Sequence, residues 1–338
     1  MNVVTEARPP YSPADTPGDP AAVPARAVHL SGYQARDHEV VDYRMTELPG
    51  TGLMFRGPLP PLEPGGYFAA VGAGQTFGCL VDRPYPELVA EATGLPALNL
   101  GYGGAGPEFF LGQEALLPYL NRARFVVLQV MSARSQSNAH YDCDGLEYVT
   151  LRRDGRRMGA KAAFDEVLRG PRLPTPLGRP IARRLGRARA RSLVAEMRAG
   201  WLAANRALLA RIEVPVVLFW FSQRGPAYRE DYADTRRIFG PFPQLVTAAM
   251  LAALRTEADA TVECVSSRGS PQPLFSRFTG APVTVDPADD REDLAVAPWS
   301  ENRYYPSPEM HEDAARALVP ACAALLGAAP EARAGADR

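Results

Sequence analysis

Tyr67-Phe-Ala-Ala-Val-Gly-Ala-Gly74-Gln-Thr-Phe-Gly78 is the stretch on which the fold reading turns. Its first five residues, Tyr67 to Val71, form a short apolar run bounded by glycines, the pattern of a buried strand. Glycines follow at 72, 74 and 78, and Tyr85 to Thr93 then reads as a helix. Strand, tight turn, helix is the repeating unit of an open parallel α/β sheet, where ligands collect outside the carboxyl ends of the strands. Glycine in such a turn lets the backbone approach a neighbour closely and present its N–H groups. Gln75 and Thr76 add side-chain donors and acceptors. They read either as hydrogen bonds that stabilise the turn or as contacts to a substrate hydroxyl or carbonyl.

Outward from this unit, the pattern repeats. Ala97–Leu100 reads as a strand, followed by Gly101-Tyr-Gly-Gly-Ala-Gly106 and a helix over Pro107–Asn121. Phe125–Met131 and Val214–Phe221 are continuously apolar, as strands covered on both faces are. A helix over Arg187–Ile212 carries Leu193, Met197, Trp201, Leu208 and Ile212 on one face. Phe242–Glu257 reads as a helix leading to a strand at Thr261–Val265, and a last helix runs from about Ser307 to Leu326. Five strands separated by helices predict a three-layer α/β/α domain with a five-stranded parallel sheet in the order 2-1-3-4-5. The domain spans residues 29–328 with an irregular insertion at 132–187. Residues 1–28 are proline-punctuated and read as a disordered tail, as do residues 329–338. In the irregular arm before the first strand, Arg56 sits between Phe55 and Gly57-Pro58 and reads as an anchor, with anion binding the alternative.

Composition narrows the function classes. The 338 residues carry a net charge of −1, which gives no bulk attraction to nucleic acid or membrane. No run approaches the roughly 18 apolar residues of a membrane span. The N-terminus lacks the basic start and apolar run of a signal peptide, so the expected location is cytoplasmic. Cys79, Cys143, Cys264 and Cys322 are scattered without a CxxC pair, so no zinc site, other metal or cofactor is expected. Gly101, Gly103 and Gly106 fit a dinucleotide fingerprint by spacing, but the acidic residue about twenty positions on is missing. The arginine-rich segment 169–211 reads as a solvated helix face, with an anion-binding patch as the sharper reading. Arg224, just past Val214–Phe221, is placed to meet a substrate anion at the sheet edge.

Five short motifs occur in one order: Phe55–Pro58, Gly72–Gly78, Asn99–Gly101, Leu128–Met131 and Ser137-Asn138. Together they resemble an uncharacterised bacterial family within or beside the SGNH (GDSL-type) hydrolase superfamily. The resemblance covers about residues 40–325 and implies an ester-cleaving or acyl-transfer site. It places the nucleophile position on Gly74, which has no side chain to form an acyl-enzyme. It places the oxyanion glycine on Gly101 or Gly103, where an N–H donor contributes about 3–4 kcal/mol to such chemistry. The asparagine block falls on Asn138, with Ser135 nearby in the same run. The superfamily histidine falls on His311, while the aspartate three residues before it is Pro308 here; Glu309 and Asp313 are the nearest acids. Two functions follow as expectations. In one, His311 acts as general base in direct attack on an ester or acylated sugar, without a covalent intermediate. In the other, the scaffold has lost hydrolysis and binds a small-molecule or carbohydrate ligand in a biosynthetic or polysaccharide pathway.

Overall fold

The computed structural model describes residues 32–169, 178–229, 231–286 and 298–327. The two expected tails, 1–28 and 329–338, lie outside the described residues. A short helix α1 (Gly32–Asp37) and a hairpin of β1 (Thr46–Leu48) and β2 (Leu53–Phe55) precede the first core strand, β3 (Phe68–Gly72). Next come α2 (Gly74–Phe77), α3 (Tyr85–Thr93), β4 (Ala97–Gly101), α4 (Pro107–Gly112), α5 (Leu117–Asn121) and β5 (Val126–Gln129). The insertion contributes β6 (Tyr141–Cys143), β7 (Tyr148–Leu151), β8 (Arg157–Gly159) and α6 (Ala160–Arg169). The long α7 (Gly178–Arg211) leads to β9 (Val216–Ser222), and α8 (Thr235–Phe239) and α9 (Ala248–Arg255) lead to β10 (Ala260–Val265). β11 (Gln272–Pro273) pairs with β12 (Glu301–Asn302) ahead of α10 (Pro308–Gly327).

The core sheet is parallel throughout, in the order β4-β3-β5-β9-β10. Counted among themselves these strands run 2-1-3-4-5, the expected α/β order. Alternate residues of each strand feed opposite layers. Ala69 and Val71 of β3, with Leu218 and Trp220 of β9, face the core closed by Leu193, Met197, Trp201 and Leu251. Phe68 and Ala70, with Phe219 and Phe221, face Tyr85, Val89, Met310 and Leu318 of α3 and α10. Both faces are covered, which is why β5 and β9 are apolar at every position but their last. Those last residues are Gln129 of β5, beside Phe219, and Ser222 of β9.

Three expectations about elements are corrected. The helix expected over Pro107–Asn121 is broken into α4, a 3₁₀ turn at Glu114–Leu116, and α5. Gln113 leaves helical geometry at φ −98°, ψ 78°, and Pro118 has no N–H to continue the ladder. The helix expected from Phe242 begins only at Ala248, where the Thr247 side chain caps it by accepting from Met250 N. Residues 241–245 are bends and a turn, with Leu245 at φ 66°, and Pro241 and Pro243 have no N–H with which to begin a helix earlier. The described part of the insertion is not irregular, because β6, β7 and β8 form a three-stranded antiparallel sheet.

Candidate functional site

The turn after β3 is fixed from beneath by Gln129. Its Oε1 accepts from the Ala73 N–H at 3.0 Å and from the Thr76 hydroxyl at 2.7 Å. Thr76 Oγ1 also lies 3.0 Å from the Tyr85 hydroxyl, and its side chain is fully buried. Thr76 thus ties α2 to β5 and α3, a structural role where a substrate contact was the sharper expectation. Gly72 is required below it: a Cβ there would stand 2.1 Å from Thr76 Oγ1 and 2.3 Å from Gln129 Oε1.

The two expected oxyanion glycines lie in and after β4. The Gly101 N–H donates to Asn99 Oδ1 at 2.9 Å, and Asn99 Nδ2 donates to the Thr76 carbonyl at 3.0 Å. That N–H is therefore engaged in joining β4 to α2. Gly103 lies buried in the turn that follows. Asn138 closes its own turn, accepting from His140 N and Tyr141 N and donating to the Gln136 carbonyl. Ser135 is buried, with its hydroxyl 3.5 Å from the Gly104 carbonyl.

Above Gly74 stands Tyr305. A Cβ at position 74 would lie 2.9 Å from Tyr305 Cε1 and 3.3 Å from Cys79 Sγ. The Cys79 thiol is bonded by Tyr305 and pushed well above its ordinary range by burial, so it is not a poised nucleophile. Tyr304 and Tyr305 are presented by Asn302, whose Oδ1 accepts from both of their N–H groups. Asn302 Nδ2 in turn donates to Gln272 Oε1 and to the Tyr305 carbonyl. Tyr304 turns its hydroxyl inward onto Gln75, and burial raises its pKa above the ordinary 10.0. The residue as a whole is 39% exposed. The charges of Arg134 and Glu147 act on that same phenol, and they pair with each other at 3.6 Å. Glu147 also packs against Gly104. The loops after β3, β4 and β5, the insertion and the segment before α10 thus converge on Gln75, Tyr304, Arg134, Glu147 and Ser135.

A family profile for the domain of unknown function DUF6473 matches residues 32–169 and 182–326. The chain belongs to this family. A comparison with curated proteins gives no match for this DUF6473 chain. Among solved structures, one match is a carbohydrate esterase family 2 enzyme with its carbohydrate-binding domain from Corynascus thermopiles (Myceliophthora fergusii). It is 12% identical with a TM-score of 0.37, over 82% of this chain and 70% of that one. Another is an extracellular lipase from Streptomyces rimosus, 13% identical with a TM-score of 0.34, over 76% of this chain and 98% of that one. Overlaps this loose say nothing about chemistry, and the fold rests on the strand register above.

His311 of the DUF6473 chain sits in the first turn of α10 and is fully buried. Its Nδ1 accepts from the Tyr85 N–H at 3.0 Å, and its ring stacks on Tyr85 and meets Phe221 edge-on. A neutral imidazole that accepts at Nδ1 carries its proton on Nε2, so it offers no lone pair to a substrate. Asp313 is held by Ser266, Arg268 and Arg316, and Glu309 packs against Gly269. Arg224 is likewise engaged. Its guanidinium donates to the carbonyls of Pro241, Pro243, Gly225 and Val246 and lies over the Trp220 and Tyr228 rings. Burial lowers its pKa to about 10. It binds a loop where a substrate anion was expected. Among the described residues, no group of three or more His, Cys, Asp or Glu is placed to hold a metal ion.

Burial, and secondarily the Arg56 charge, lower the His311 pKa from 6.5 to about 3. The unfolded chain takes up this proton on acidification, while the folded chain does not. The stability from a neutral His311 is therefore complete above pH 6.5 and is lost as pH falls toward 3. The expected loss is roughly 3 kcal/mol by about pH 4.5. Urea unfolding across this window should give a sloping profile in the wild type and a flatter one in His311→Gln. Equal slopes would assign the acid sensitivity to other groups.

Sequence reasoning did not single out Tyr304, Tyr305, Arg134 or Glu147. An adjacent tyrosine pair immediately before the last helix, where the resemblance has its aspartate and histidine, is the signal that could have flagged two of them.

Proposed function

We propose that this DUF6473 domain binds a small polar ligand of carbohydrate character at the carboxyl edge of its sheet, and does not cleave esters through a side-chain nucleophile. The observation that carries this reading is the Tyr305 ring, 2.9 Å from where a Cβ on residue 74 would lie. The space a serine nucleophile would need is filled by an aromatic side chain that is itself buried. His311, with its Nδ1 lone pair held by the Tyr85 N–H, supports the same conclusion. The ligand class is argued from what surrounds Tyr304. A half-exposed tyrosine beside an amide, a guanidinium and a carboxylate is the set of groups that stacks on a sugar ring and bonds its hydroxyls.

The test pairs two assays on the full chain. Wild type and Gly74→Ser are expected to be inert on a panel of short acyl esters, with no acyl-enzyme burst. A panel of mono- and disaccharides should give saturable binding, weakened about fivefold to tenfold by Tyr304→Ala. Wild-type ester turnover that His311→Ala abolishes would reinstate the hydrolytic reading. Absence of saturable binding by any saccharide would remove the carbohydrate class.

A further inference from the structure

A groove of about 700 Å³ lies where the insertion meets α6 and α7, and it shares no residue with the site around Tyr304. That volume is within the usual range of small-molecule sites, roughly 300–1,000 Å³. Leu151 and Val167 supply its apolar lining. His140, Arg152, Arg153 and Arg189 also line it, with Glu166 as the single carboxylate. We propose that this groove binds a small molecule bearing a multiply charged oxyanion of the phosphate or diphosphate kind.

Three observations support the assignment. The first is orientation. Arg152 donates through Nε to the Asn138 carbonyl at 3.0 Å and through Nη2 to Asp142 at 2.5 Å. Arg153 is braced by Asp154 and Glu166. Each guanidinium has five N–H donors in a fixed fork, so edges remain available to an oxyanion while the head is held in place. Exposed ion pairs of this sort contribute at most about 1 kcal/mol each, so a dianion competes well for the same donors.

The second is Arg189, whose exposed side chain makes no ion pair among the described residues. The third is the local field. Along the described side chains of α7, Arg187, Arg189 and Arg191 occur with no aspartate or glutamate between 186 and 195, in a chain whose net charge is −1. A one-sign cluster beside a concave wall concentrates anions there even when the whole protein is near neutral.

Calorimetric titration of the full chain with inorganic pyrophosphate tests this, with citrate and a twenty-nucleotide single-stranded DNA as comparison ligands. The expected result is one saturable site for pyrophosphate with a dissociation constant below about 1 mM at low salt, weakening as salt is raised. Arg153→Ala and Arg189→Ala should each weaken it about tenfold or more. Both side chains are exposed, so unchanged thermal unfolding serves as the folding control. No saturable heat, binding indifferent to both substitutions, or citrate binding as well as pyrophosphate would each overturn the proposal. Tighter binding of the DNA would overturn it in favour of a polyanion surface.

Discussion

Replacing Gly101 by alanine is expected to lower stability by about 3 kcal/mol or more, the upper part of the range for overpacked cores. The added Cβ would lie 2.1 Å from Phe77 N, 2.5 Å from Phe77 Cα and 2.7 Å from the Thr76 carbonyl carbon. All three are backbone atoms of α2, so no side-chain rotation relieves the contact. The helix also cannot retreat freely, because Thr76 is bonded to Gln129 and Asn99 holds the Thr76 carbonyl. Relief requires α2, and with it Gly74 and Gln75, to shift away from β4. Urea unfolding should show a lower midpoint with an unchanged slope. Gly112→Ala, where a Cβ meets nothing within 4 Å, is the control and should not lose stability. If Gly101→Ala proved as stable as wild type, α2 would be far looser than its hydrogen bonds indicate.

Arg56→Ala should be at least as damaging, at about 3–5 kcal/mol, the range seen when a buried charge loses its partners. The situation is mirrored here, since the charge is removed and its acceptors are left behind. Arg56 is only 5% exposed and has no carboxylate bonded to it among the described contacts. Instead Nη1 donates to the carbonyls of Gly78 at 3.0 Å and Val81 at 2.8 Å, Nη2 donates to the Asp82 carbonyl, and the head lies over the Tyr43 ring at 5.2 Å. Carbonyls and a π face thus hold the head directly, while burial lowers its pKa against the charges of Tyr43, Glu87 and Asp82. Truncation leaves the buried Val81 carbonyl without its donor, the Gly78 carbonyl with only the Val81 N–H, and the Asp82 carbonyl without its arginine. Arg56→Lys should recover less than half of the loss, because one ammonium cannot span the fan of acceptors that the planar fork reaches. Full recovery by lysine would reduce the role of Arg56 to charge alone.

Much of this architecture is legible in the sequence because it depends on short-range signals. Phe125–Met131 and Val214–Phe221 announce strands covered on both faces, and the β3 turn announces itself by its glycines. Gly101 is legible as a position of close approach, although what approaches it, the backbone of Phe77, is not. The small sheet of the insertion is missed because β6 and β8 have three residues each, too few to establish alternation. Arg224 illustrates a linked error. With a helix expected from Phe242, the carbonyls of residues 241–246 would have been satisfied internally and the arginine left for a ligand. As a loop, that segment offers its carbonyls to neighbours, and Arg224 is the donor to those of Pro241, Pro243 and Val246. His311 is placed correctly by position, yet the Tyr85 N–H and Phe221 ring that define its chemistry come from α3 and β9, far away in sequence.

All four cysteines are buried and unpaired with one another. They sit in separate parts of the molecule: Cys79 beneath Tyr305, Cys143 in β6, Cys264 in β10 and Cys322 in α10. Burial raises the pKa of each thiol, so none is reactive while its surroundings stay closed. The protein therefore carries four built-in clocks. The rate at which a thiol reagent modifies each position reads the frequency with which that part opens, and Cys79 times the lifting of Tyr305 from Gly74 without any engineered label.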